Sequence, residues 1–147
     1  MLNPDFKEFI ELLNEHQVRY LVVGGYALNI YIAKPRNTGD LDIWIEISEE
    51  NANQMKSIVE KFCNVNDVEK DVFLNKNLRV PIGVPPVCLD ILMNVDGLKF
   101  SECYKKKNVI SWEGVQIPFL SKDDLIATKK YVNRPQDKAD VAALLNS

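Results

Sequence analysis

Apolar positions along the chain follow two rhythms, and the switches between them mark the elements. Phe6, Phe9, Ile10 and Leu13 recur at the spacing of one helix face, behind Asn3 as cap and Pro4 at the first helical position. Tyr20 to Val23 is a short continuous apolar run, the pattern of a buried strand, and it leads into Gly24 and Gly25. Tyr26 to Ala33 carries enough helix formers to predict a helix, and Lys34 to Gly39 is a polar loop with both a proline and a glycine. Strict alternation then begins at Asp40. Asp40, Asp42, Trp44 and Glu46 share one face of a strand, while Leu41, Ile43, Ile45 and Ile47 form an opposite, core-facing row. Ser48 caps a further helix, whose inward stripe is Ala52, Met55, Ile58, Val59 and Phe62.

The second half repeats the strand signal. Asn64 to Asn77 is a polar connection, and Leu78 to Ile82 and Val87 to Met93 read as two strands turned by Gly83, Val84, Pro85 and Pro86. In the second of them Val87, Leu89, Ile91 and Met93 share a face, which leaves Asp90 on the other beside Cys88 and Leu92. Val109 to Trp112 and Val115 to Pro118 predict a hairpin around Glu113 and Gly114. Ser121 with Asp124 reads as a capping box before a helix. After Arg134 and Pro135 a last helix sets Asp137 and Asp140 three residues apart, with Val141, Leu144 and Leu145 turned inward. The sum is an α+β fold, a short mixed β-sheet flanked by helices, in which residues 1–147 form a single domain.

This pattern puts carboxylates where a sheet does not ordinarily want them. Cα atoms two apart on a strand lie roughly 6.6 Å apart, so Asp40 and Asp42 can reach one divalent cation, and without a cation they repel. Asp90, among apolar neighbours, needs a partner of its own, either a metal ion or Arg79 on the adjoining strand. Arg134, Asp137 and Asp140 read as ion pairs that lock the last helix to the body, with a substrate-facing Asp137 or Arg134 as the alternative, and His16 reads as a helix-end residue.

Composition narrows the setting. Over 147 residues, 46% hydrophobic and 27% charged, the chain is an ordinary globular one, and a net charge of −3 gives no global basic field for nucleic acid. Cys63, Cys88 and Cys103 have no paired spacing, which points to reduced thiols in a cytoplasmic protein, and no apolar run is long enough to span a bilayer.

Val22 to Gly25, Arg36 to Ile43 and Val87 to Leu92, taken in order, resemble the nucleotidyltransferase superfamily of the DNA polymerase beta type. Its pattern is an apolar strand ending in a diglycine, an Asp-x-Asp on the next strand, and a third carboxylate on a later one. The tail from Leu125 to Lys129 and from Arg134 to Val141 looks like small bacterial nucleotidyltransferase-like proteins, relatives of antibiotic-modifying and toxin–antitoxin members. The resemblance implies a nucleotidyltransferase fold and transfer of a nucleoside monophosphate from an NTP, with ATP the expected nucleotide, to a hydroxyl acceptor. It implies two Mg2+ ions, replaceable by Mn2+, held by Asp40, Asp42 and Asp90 as the catalytic carboxylates. Gly24 and Gly25 would let backbone amides approach the triphosphate, and Arg36, Thr38 and Lys129 would neutralise its charge. The acceptor stays open among a small-molecule drug, a tRNA end and a protein hydroxyl. The rival expectation is a catalytically silent nucleotide- or partner-binding module, such as one component of a toxin–antitoxin pair. The small size leaves room for a homodimer or a toxin–antitoxin partner that completes the acceptor site.

Overall fold

The computed structural model describes residues 2–84 and 87–147. Elements follow in the order α1 (Pro4–Glu15), β1 (Tyr20–Val23), α2 (Gly24–Tyr31), β2 (Asp40–Ile45), α3 (Glu49–Cys63), β3 (Arg79–Val84), β4 (Val87–Leu92), α4 (Phe100–Lys105), β5 (Asn108–Trp112), β6 (Val115–Phe119), α5 (Lys122–Val132) and α6 (Pro135–Leu145). The strands make one six-stranded sheet in the order β3-β4-β2-β1-β6-β5. It is mixed: β2 runs antiparallel to β1 and parallel to β4, and β1 runs parallel to β6.

Local chemistry sets the element ends. The Asn3 side chain accepts from the Asp5 amide at 2.8 Å and so caps α1, and Ser48 accepts from the Asn51 amide at 3.0 Å to cap α3. Asn51, buried, then does a second task. Its amide nitrogen donates to the carbonyls of Arg19 and Glu46, both at 2.9 Å, and its oxygen accepts from the Arg19 amide at 3.1 Å, which ties the start of β1 to the end of β2. One face of the sheet is covered by α1 and α3. Phe6 and Phe62 meet Ile82 and Leu89 there, on the face away from Asp90, and Phe9 packs edge-on against Phe62 at 5.1 Å.

Several expectations change in the fold. The helix after the diglycine runs from Gly24 to Tyr31, and Gly24 turns the chain into it with a φ of +67° that a side chain would resist. Trp44, on the acidic face by alternation, is buried all the same, since Phe100 of α4 packs edge-on against it at 5.2 Å. The short α4, without a side-chain cap, was not visible in the pattern. Ile47 is 41% exposed because β2 stops at Ile45, and Leu145 is 63% exposed while Leu144 is fully buried, so α6 buries a narrower stripe than its composition suggests. Val141 is half-buried. The connection from Asn64 to Asn77 holds a 3-10 turn, Lys70–Leu74, that buries Phe73. Ser121 accepts from the Asp124 amide at 3.2 Å, but the Asp124 carboxylate pairs with Lys106 at 2.7 Å and does not close a capping box. The strands β3, β4, β5 and β6 differ by a residue or two from their predicted ends. Pro85 and Pro86, within the predicted turn, lie outside the described residues. Cys63, Cys88 and Cys103 are free, and no helix among the described residues is long and apolar enough to cross a membrane.

Candidate active site

The carboxylates come together through strand register. β2 and β4 are parallel neighbours in which Asp42 stands opposite Asp90 and Asp40 opposite Cys88, so all three acids and the thiol share one face. Antiparallel pairing sets Val23 opposite Asp42 and brings the end of β1 to the same place. Gly24 follows at once, and a Cβ there would lie 2.3 Å from Asp42 Oδ2. Glycine is required on two counts, this close approach and its positive φ. Gly25 is crowded by Thr38 instead, at 2.7 Å from its hydroxyl oxygen to the place of a Cβ.

The electrostatics of these acids differ. Asp90 is buried, and its Oδ2 accepts from Arg79 Nη2 at 2.8 Å. Asp42 Oδ1 lies 3.6 Å from the same nitrogen and, although buried, has no hydrogen-bond partner. Burial pushes the Asp42 carboxyl up to about 6, with Asp90 and Asp40 adding to the rise against the opposing Arg79 charge. Hydrogen bonding to Asp90 raises Arg79 in turn. Asp40 sits exposed at the start of β2.

A cleft of about 200 Å³ opens over this face. Its floor includes Val23, Gly24, Asp42 and Leu92, and its far wall is α5 and the start of α6, with Leu125, Lys129, Val132, Arg134 and Asp137. Asn94 and Asp96 close one end, where the Thr128 hydroxyl donates to the Asp96 carbonyl at 2.6 Å. Lys129 thus reaches the cleft, and its ammonium group donates to Asp140 Oδ2 at 2.8 Å and lies 3.8 Å from Asp137. Arg36 does not line the cleft: its guanidinium pairs with Asp140, and its backbone is held by Asn29, whose Oδ1 accepts from the Arg36 amide at 3.0 Å. Gln136 Nε2 also donates to Asp140, at 2.9 Å. Against burial, which pushes the Asp140 carboxyl up, these donors hold it below the ordinary range; Arg134 does the same for Asp137 by a 2.8 Å hydrogen bond.

The structure therefore gathers Gly24, Asp42 and Asp90 at one pole, with Asp40 at its rim, and Lys129 at the other. Gly25 and Thr38 stand behind the glycine turn, and Arg36 is drawn into an ionic knot. Arg134 and Asp137, read from sequence as helix-locking residues, do pair with each other and also line the cleft. The roles of Asn94, Asp96 and Thr128 carried no sequence signal.

A divalent cation fits the acidic pole on chemical grounds. The donors are carboxylates, one oxygen of Asp42 is orphaned in the interior, and a positive charge already stands between Asp42 and Asp90. Among the described residues no three metal-ligating side chains form a closed cluster, so the fit rests on Asp42 and Asp90 with Asp40 beside them.

No family model matches the chain, and no curated protein sequence does. Solved structures do. The lincosamide antibiotic adenylyltransferase LnuA, in its lincomycin-bound crystal structure, superposes with a TM-score of 0.63 at 16% identity, covering 99% of this chain and 97% of that one. The antibiotic-resistance factor ANT(2'')-Ia matches at 0.60 and 14% identity over 96% of this chain and 79% of that one. An antigenic nucleotidyltransferase-like protein from Paracoccidioides brasiliensis matches at 0.59 and 12% identity, over 93% and 72%. The chain thus has the nucleotidyltransferase fold, and proteins that share this fold with it include antibiotic-modifying enzymes.

Proposed function

We propose that the protein transfers a nucleoside monophosphate from an NTP, with ATP the expected donor, to a hydroxyl group of a small-molecule acceptor. The observation that carries this reading is the in-register pair of Asp42 and Asp90 beside the Gly24 backbone, in a fold whose known neighbours include adenylyltransferases acting on lincosamide and aminoglycoside-type drugs. Asp40, Asp42 and Asp90 would hold the Mg2+ ions, or Mn2+ in their place, which supply charge neutralisation at the phosphate oxygens.

The chain's own groups do the remaining work. Gly24 lines the cleft at the start of α2, where the first backbone amides of a helix have no partner within it, so a phosphate oxygen would meet no side chain there. Lys129 meets the negative charge of the triphosphate from the opposite wall, with Arg134 beside it. Thr38 supports the turn from behind Gly25, and Arg36 fixes Asp140, the carboxylate that holds Lys129. The acceptor oxygen bonds to the α-phosphorus, the bond to the bridging oxygen breaks, and pyrophosphate leaves with the electron pair. The hydroxyl proton passes to Asp90. Leu92, Leu120, Leu125 and Val132 give the cleft an apolar lining between its charged poles.

One observation favours a second reading. Arg79, Arg36 and Lys129 are all paired internally with carboxylates, as in a binding module that keeps its cleft without turning over, for instance a toxin–antitoxin component. Incubation of the protein and its Asp42→Asn variant with α-labelled ATP, CTP, GTP and UTP, Mg2+ and a whole-cell lysate, with nucleotide binding measured in parallel, separates the two. Label transferred by the wild type alone, with release of pyrophosphate, is the expected result; nucleotide binding with no transfer to small molecules, RNA or protein assigns the silent module.

A further inference from the structure

The acidic pole carries its own cation. Asp40, Asp42 and Asp90 bring three negative charges to one face, and among the described residues Arg79 is the cation within 4.0 Å of either Asp42 or Asp90. Its guanidinium is committed to Asp90 at 2.8 Å and stands off from Asp42 at 3.6 Å, leaving Asp42 Oδ1 without a hydrogen bond. The charge is divided unequally between the two acids: Asp90 is satisfied, Asp42 is not. Arg79 opens β3, the edge strand of the sheet, and stands opposite Leu92, with Pro81 opposite Asp90. Its side chain is 58% exposed, so it can swing into solvent without breaking the ladder or the core.

We infer that Arg79 is a resident counter-cation that fills the Asp90 half of the carboxylate cluster, so that the protein takes one divalent cation at Asp40 and Asp42 and a second only when Arg79 withdraws. The inference rests on the reading that these carboxylates bind metal. Charge balance supports it: three carboxylates against one guanidinium leave two negative charges, the complement of a single divalent ion, and a second ion brought in beside a retained guanidinium would meet like charge. Arg79 therefore sets how many ions the cluster holds and how tightly the second is bound.

The test is a count of bound Mn2+ by electron paramagnetic resonance of the free ion, on the full chain without nucleotide, with thermal melting recorded alongside. Wild type is expected to bind one ion, with a second at least about tenfold weaker. Arg79→Met should bind the second ion about tenfold or more tighter than wild type does. Its metal-free form should melt lower than wild type, and Mn2+ should raise its melting temperature more than it raises that of wild type. Arg79→Lys, which keeps the charge and the fold should the Met variant be unstable, should stay at one ion. Equal Mn2+ binding in wild type and Arg79→Met overturns the counter-cation while leaving metal use intact. Weaker binding in Arg79→Met overturns it in favour of an arginine that merely positions Asp90. No Mn2+ bound by wild type or either variant overturns both this inference and the metal reading beneath it.

Discussion

Four buried or half-buried aspartates face this cleft or its walls, and they fall into two kinds. Asp137 and Asp140 on α6 are fully enclosed yet settled: Lys129, Arg36, Gln136 and Arg134 supply their hydrogen bonds, and both carboxyls sit below the ordinary range. Asp42 and Asp90 on the sheet share a single guanidinium, and the Asp42 carboxyl rises to about 6 with one oxygen unpaired. The residue type is the same; Asp90 is buried as the α6 pair is, and Asp42 is more open, with 21% of its side chain exposed. What differs is whether the fold supplies enough positive charge, and a carboxylate the fold leaves short is one that a ligand is meant to complete. The α6 pair is completed by the fold; the sheet pair is the one the proposed reaction would use.

Substitutions at the two places should therefore fail in opposite ways. Asp42→Asn is expected to cut nucleotidyl transfer by about a thousandfold or more while the circular dichroism spectrum stays native, since an amide is a poor metal ligand but fills the same volume. Asp140→Asn strips a buried anion from Lys129, Arg36 and Gln136, and should lose about 3 kcal/mol in urea denaturation. Gly24→Ala lies between the two, because its methyl group must displace Asp42 as well as strain the backbone; it should cost about 1–2 kcal/mol and weaken binding of a fluorescent ATP analogue.

The smallest effect is a pH dependence, and its sign sharpens the contrast. Burial holds the Asp42 carboxyl at about 6 in the folded chain against an ordinary 3.8, so the folded state keeps this proton more tightly than the unfolded one. The resulting penalty is absent below about pH 4, grows as pH rises, and is complete above about pH 6. With chelator present, Asp42→Asn should match wild type near pH 3.5 and exceed it by about 1 kcal/mol at pH 7.5, solvent access to the site reducing the full value. A variant equally or less stable at pH 7.5 would mean that Asp42 already has its partner within the fold.

The acidic pole was legible in the sequence because it depends on short-range rules. Alternation alone sends Asp40 and Asp42 to one side and isolates Asp90, and the Gly24 and Gly25 pair flags a close backbone approach. The ionic knot was legible in type but not in partners. Arg36 meets Asp140 from the other end of the chain, and no periodicity encodes that distance. Trp44 was set on the right face, but its burial was not legible: its cover, Phe100, arrives on a helix too short and too weakly capped to announce itself. Ile47 and Leu145 continue an apolar rhythm past the point where the element or its buried stripe ends, and rhythm carries no information about where a neighbour stops.

The spacing of Asp42 and Asp90 is measured across two adjacent strands and not along the chain between them. The hydrogen-bond ladder holds that separation, so length changes in the exposed stretches 64–67 and 75–77 would leave both carboxylates in place, while the turn between them stays anchored by the buried Phe73. The sheet thus behaves as a fixed jig around which the rest of the connection is free to drift. Sequence change in those exposed stretches can therefore accumulate without disturbing the separation of the two carboxylates.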